Sequence, residues 1–179
     1  MERIDKSFTV QWLGPFDKLE GLNDYFKGEN GLDKGLFNFY YFEARKTMRS
    51  KPCCYFGIHK KNDGITKRLT KSHSHYKEVK DFKYVNIWIG SLGRKKDQTI
   101  ANVDLVETLF IRAYKDIVSE NDRKKKSLPA ENVTVINYWY DEGNHLKHRK
   151  KNETCGFHDV ICYVEKEFHK GNLSRKKDF

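Results

Sequence analysis

Apolar and polar positions alternate most regularly along FKYVNIWIGSLG, residues 82–93, where Val85, Ile87 and Ile89 fall on one side and Tyr84, Asn86, Trp88 and Gly90 on the other. A period of two is that of a strand, and its strongly apolar composition predicts a central one. Further on the period changes. In IANVDLVETLFIRAYKDIV, residues 100–118, apolar side chains recur at 103, 106, 110, 113, 114 and 117, the stripe of a helix packed on a core. Glu107 stands inside that stripe, next to Val106 and one turn from Val103 and Phe110. An unpaired carboxylate is costly to bury there, so it reaches the stripe's edge, pairs with a lysine, or ligates a metal.

Upstream, GLFNFYYFEAR (35–45) and CCYFGI (53–58) read as two strands of a hairpin joined by the polar connection KTMRSKP. Asp63-Gly64 breaks the second strand, and ITKRLTKSH then spaces Ile65 and Leu69 four apart. That spacing predicts a helix with Thr66, Lys67 and Arg68 on or beside its face. The first thirty residues predict a short strand, a Gly14-Pro15 turn and an irregular or helical lead-in. Past the long helix, residues 119–132 have the composition of a loop or linker, 133–140 alternate as a strand, 141–157 are polar, and 159–168 predict a last strand. The organisation expected is a mixed α/β (α+β) domain over 1–118, a charged linker over 119–130 and a C-terminal appendage over 131–179.

A chain of 179 residues with 14% aromatic side chains is rich enough to bury one core, which sets it apart from a disordered chain of equal charge. The net charge of +10 points to an anionic partner. Its placement sharpens that reading: residues 44–96 hold 15 basic against three acidic residues, a net +12, which leaves −2 for the rest. Such concentration is the footprint of a phosphate-binding face. The N-terminal MERIDKSFTV lacks an apolar leader, and the four cysteines (Cys53, Cys54, Cys155 and Cys162) read as reduced thiols of a cytoplasmic protein. No apolar run reaches membrane-spanning length, so nucleic acid is favoured over a membrane as the anionic partner.

Taken in order, GLFNFYY, YFG, GITKRLTKSH and DLVETLFIRAY resemble the GIY-YIG nuclease family, from about Trp12 to Tyr114. The resemblance implies a small three-stranded antiparallel sheet flanked by helices, to which the strand patterns beyond residue 130 add one or two further strands in a C-terminal extension. It also implies metal-dependent hydrolysis of DNA phosphodiesters with Mg2+ or Mn2+. Residue by residue, Gly35 falls in the first signature, Tyr55 and Gly57 on the tyrosine and glycine of the second, Arg68 on the catalytic arginine and Glu107 on the metal-ligating glutamate. His73 is similar to the histidine or tyrosine often present on the arginine helix. His59 and Lys60 follow the second signature, where a lysine is common. One departure is plain: Phe37 stands where the first signature has a tyrosine. Tyr41 lies on its face of the strand but ~13 Å along. The long connection between the signatures resembles the restriction-enzyme members, which implies a restriction or defence role.

The residue types also make chemical sense by themselves. Phosphodiester hydrolysis needs a positioned water, a base, and positive charge on the phosphoryl oxygens. Arg68 offers a planar fork for two of those oxygens, and Glu107 a hard oxygen for a divalent metal. A Tyr55 base, assisted by His59 or Lys60, would need a nearby cation to lower its pKa. Lys61, Lys67, Lys71, Arg94, Lys95 and Lys96 are the expected DNA contacts, and cutting both strands would call for a homodimer or two encounters. The competing expectations are a non-catalytic nucleic-acid-binding module, motivated by Phe37, and an RNA-binding protein that stacks bases on Phe39, Tyr40 and Tyr41. His145, His148, Cys155 and His158 have zinc-like spacings, but three histidines with one cysteine is an uncommon set.

Overall fold

In the computed structural model, which describes residues 5–27, 38–60, 64–141, 143, 146 and 156–173, the chain runs β1 (Lys6–Asp17), α1 (Lys18–Lys27), β2 (Phe39–Arg45), β3 (Cys53–Ile58), α2 (Ile65–Arg68), β4 (Tyr84–Leu92), α3 (Ile100–Ala113), β5 (Val133–Tyr140), β6 (Val160–Val164) and β7 (Glu167–Gly171). The strands form one seven-stranded sheet in the order β3-β2-β4-β1-β5-β6-β7. This overturns the expected small three-stranded sheet flanked by helices. The hairpin β2-β3 and the pairing of β2 with β4 are antiparallel as that arrangement requires, but β1 then extends the sheet beyond β4 and pairs in parallel with β5.

Two local misreadings account for the difference. Gly14-Pro15 does not turn the chain: the register with β4 shifts between Leu13 and Phe16, and the strand continues to Asp17. A bulge absorbs the extra residues because Trp12, Leu13 and Phe16 still find buried places on either face of the sheet. Further on, the single strand expected at 159–168 is the hairpin β6-β7, turned at Glu165 and Lys166 with φ of 54° and 69°. Two consecutive positive φ angles match the twist that tight hairpins favour. The C-terminal region therefore adds three strands, not one or two, to the sheet that carries β1–β4.

Over β1–β4 the sheet buries both faces. On one, α3 covers a cluster centred on Trp12, whose ring meets Phe39, Phe56, Phe110, Trp139 and Phe157 and whose Nε1 donates to Asn137 Oδ1 at 3.0 Å. Gly90 is required beneath it, since a Cβ there would lie 2.8 Å from Trp12 Cε3. On the other face Tyr40, Phe42, Ile87 and Ile89 pack with α1 and with Ile65, Leu69 and Tyr76 of the basic segment. The helix expected from Ile65 is a single turn, because Leu69 is already extended (φ −92°, ψ 94°). Residues 70–83 continue as turns with a 3-10 turn at Tyr76–Glu78.

β3 is an edge strand, and its outward backbone groups are satisfied by residues 119–121. Cys54 N–H donates to Ser119 Oγ at 3.0 Å, and Glu120 N–H donates to Cys54 O at 3.0 Å. Asn121 clamps Phe56 from both sides, accepting from its N–H at 2.7 Å and donating to its carbonyl at 2.6 Å. The edge is thus closed to pairing with another strand. Among the described residues no helix is long and apolar enough to cross a membrane.

Candidate active site at the edge of β3

A cleft of about 660 Å³ opens where β3, the end of α2, the outer side of α3 and the strap 119–124 meet. Tyr55, Lys60, Arg68, Ser74 and His75 line one side, Asp104, Glu107 and Ile111 of α3 another, and Asn121, Arg123 and Lys124 the strap. Alternation along β3 explains how both faces of the sheet contribute. Tyr55 points toward the face that carries α2, whereas Phe56 packs against Phe110 of α3, so the cleft wraps around the edge between them.

Behind Tyr55 stands Tyr40, which is fully buried and pairs across β2-β3 with Gly57. A Cβ at position 57 would overlap the hydroxyl end of the Tyr40 ring, so the glycine that follows Tyr55 by two leaves the space in which Tyr40 lies. The Tyr40 hydroxyl lies 2.9 Å from His73 Nε2, and Tyr76 N–H donates to His73 Nδ1 at 3.4 Å. With Nδ1 accepting, the neutral imidazole carries its proton on Nε2 and donates it to Tyr40. The ring is neutral at physiological pH because burial, helped by the charge of Arg68 and by His75, holds its pKa down at about 4. The Tyr40 and Tyr55 rings lie 6.0 Å apart, close enough that Tyr40 favours the ionised form of Tyr55 and Tyr55 disfavours that of Tyr40.

Burial remains the largest influence on both phenols and raises both pKa values, so Tyr55 is a neutral phenol in the resting cleft. Arg68 and Arg123 pull against that burial, and the negative charge of Glu107 adds to it. His75 stacks on Tyr55 with ring centroids 4.2 Å apart.

Glu107 is not unpaired in its stripe. Lys124 Nζ sits 2.7 Å from Glu107 Oε2 and 2.9 Å from Asp104 Oδ1, and Lys60 Nζ adds a second cation 3.2 Å from the same Asp104 oxygen. Burial raises the Glu107 pKa, and Lys124 opposes that rise. Two hard carboxylate oxygens one turn apart thus address a single cation position, in which the ammonium stands. A divalent ion would fit the same donors. Among the described residues no three metal-ligating side chains cluster, so such an ion would complete its shell from water and phosphate, as magnesium does.

The other expected site residues fall elsewhere or outside the description. His59 is buried at the end of β3, its N–H donating to Asn38 O at 2.7 Å, and does not line the cleft. Lys67, Lys95 and Lys96 are exposed, Lys71 pairs with Glu20 at 2.7 Å, and Arg94 with Asp97 at 2.6 Å. Gly35, Phe37, Lys61, His145, His148 and Cys155 lie outside the described residues, while His158 Nδ1 lies 3.0 Å from the Tyr114 hydroxyl. Asp104, Asn121, Arg123 and Lys124 were not anticipated as site residues, and Tyr40 was expected only as a base-stacking surface with Phe39 and Tyr41, which the full burial of all three rules out. Asp104 alone had a readable signal, since it precedes Glu107 by three on the same helix. No family model, curated protein or solved structure matches this chain.

Proposed function

We propose that the chain is a metal-dependent DNA endonuclease of GIY-YIG chemistry, hydrolysing a phosphodiester in the cleft at the β3 edge. The observation that carries this reading is the convergence of Tyr55, Arg68, Lys60 and Glu107 on one cavity from three separate parts of the chain: β3 with its end, α2 and α3. Tyr40 offers a second phenol in place of Phe37, from the next residue but two, buried behind Tyr55 on the face that Tyr55 uses. Arg68 holds the phosphoryl oxygens. As the phenolate, Tyr55 takes the proton of the attacking water, and the Tyr40 and His73 rings packed behind it hold its ring in place. Asp104 and Glu107 would hold the divalent ion, which would supply positive charge for the developing negative charge on the phosphate and leaving oxygen. One cleft holds one phosphodiester, so cutting both strands takes two copies or two encounters.

The ion pair of Glu107 with Lys124 favours a second reading, a binding module that keeps the phosphate grip without hydrolysis. Incubation with supercoiled and linear DNA in magnesium, manganese or EDTA separates the two. The nuclease reading expects metal-dependent cleavage that falls at least ~100-fold in Arg68→Ala and Glu107→Gln. Binding without cleavage across a broad sequence panel selects the module instead. Because the Tyr55 pKa is raised, its phenolate grows only as pH rises, so log kcat should climb through the alkaline range in wild type and lose that climb in Tyr55→Phe.

A further inference from the structure

The strap 119–124 delivers a second guanidinium to the cleft. Arg68 ends α2 on the side of the sheet that carries Tyr55, whereas Arg123 comes two residues after Asn121, whose clamp on Phe56 ties the strap to β3. Both line the same cavity, both are exposed, and both act electrostatically on Tyr55.

What distinguishes the two arginines is the fate of the other charges. Lys60 and Lys124 are held by Asp104, Lys124 also by Glu107, and Lys125 faces Asp122 at 3.8 Å. Glu120 accepts from Ser119 Oγ at 3.0 Å. Among the described residues neither Arg68 nor Arg123 has a carboxylate partner, so Asp104, Glu107 and Asp122 are matched by lysines and Glu120 by a hydroxyl, while two guanidiniums line the cleft beside Tyr55 uncompensated. A phosphodiester carries one negative charge shared by two non-bridging oxygens, and each oxygen suits one planar guanidinium fork.

We propose that Arg68 and Arg123 grip one phosphodiester between them over Tyr55, one arginine from each lip of the cleft. The inference deepens the phosphodiesterase reading and rests on it. It assigns the strap a substrate-binding task besides closing the sheet edge.

The test uses the full chain in EDTA and a thymidine dinucleotide, which carries a single phosphodiester, with its uncharged methylphosphonate analogue as control. Binding is followed by NMR on the Nε–H signals of Arg68 and Arg123. The dinucleotide should shift both signals and the analogue neither. Arg123→Ala and Arg68→Ala should each weaken binding roughly tenfold or more, and Arg123→Lys should recover only part because it lacks the fork. Lys126→Ala removes an exposed charge from the adjoining loop and should stay within about twofold. Amide spectra of each variant verify that it folds. If Arg68 shifts and Arg68→Ala weakens binding while Arg123→Ala binds like wild type, the two-armed grip is wrong and the phosphodiester site survives. If the dinucleotide moves neither arginine signal, both ideas fall together.

Discussion

Gly57 shows how a single hydrogen atom holds a network in place. The Tyr40 ring occupies the volume that any Cβ at 57 would need, and that position fixes its 2.9 Å contact with His73. Gly57→Ala must therefore push Tyr40 aside, at a cost of about 1–3 kcal/mol for overpacking a filled core. The displaced ring no longer covers the imidazole. His73, held at about 4, should then titrate closer to its ordinary 6.5, which an NMR pH titration reads directly. The sign carries over to stability. In wild type the unfolded chain takes up the His73 proton near 6.5 and the folded chain only near 4, so this residue withdraws stability as pH falls through that window. Gly57→Ala should flatten that dependence, and an unchanged His73 titration would show that Tyr40 does not shield the ring. Tyr55, Gly57, Arg68 and Glu107 were legible in the sequence because each belongs to a short local pattern. Tyr40 was not, because face assignment in a strand turns on parity. Counting from Gly35 selects Phe37, and Tyr40, three residues later, belongs to the opposite set until pairing with Gly57 fixes the register.

At the scale of elements, the strap shows why composition alone misleads. Residues 119–132 combine Ser, Asn, Asp and Lys as linkers do, yet the same short polar side chains are the ones able to satisfy a strand edge. Nothing local distinguishes the two uses, because the acceptor and donor that Asn121 serves belong to Phe56, 65 residues earlier. The alternating strands at 84–92 and 133–140 and the stripe of α3 were readable because each is a periodic pattern within one element. Closure of the β3 edge is a long-range fact. Asn121→Ala should leave the Phe56 N–H and C=O without partners and cost about 1–3 kcal/mol. Hydrogen exchange is the sharper readout: protection of the Phe56 amide should collapse while that of Ile87 in the sheet interior stays close to wild type. Asp122→Ala, whose side chain is 96% exposed, serves as the control and should change neither. Equal protection of Phe56 in wild type and Asn121→Ala would mean that the strap does not hold the strand.

For the whole molecule the decisive feature is the place of β1. It lies between β4 and β5, with its Phe8 to Leu13 stretch paired to Val135–Tyr140 on one side, so the first strand of the chain is internal only when residues beyond 130 are present. Trp12 makes the dependence concrete, since Trp139 stacks on its ring at 5.7 Å and Phe157 covers another side at 6.2 Å. Val133, Val135, Ile161 and Tyr163 belong to the same core as Val106 and Phe110 of α3. A fragment ending at residue 130 would lose those partners, open one edge of β1 and expose an aromatic surface in a chain whose stability is a small difference between large quantities. Circular dichroism and limited proteolysis of the 1–130 fragment should accordingly show no cooperative thermal transition and rapid cleavage within β1, whereas the full chain unfolds in one step. A fragment that melts cooperatively and protects Trp12 would show instead that the strands carrying the cleft fold by themselves and that β5–β7 dock onto a finished unit. The cleft lies at the far edge of the sheet from β7, so this experiment also decides whether residues beyond 130 reach the site only through the stability of the sheet.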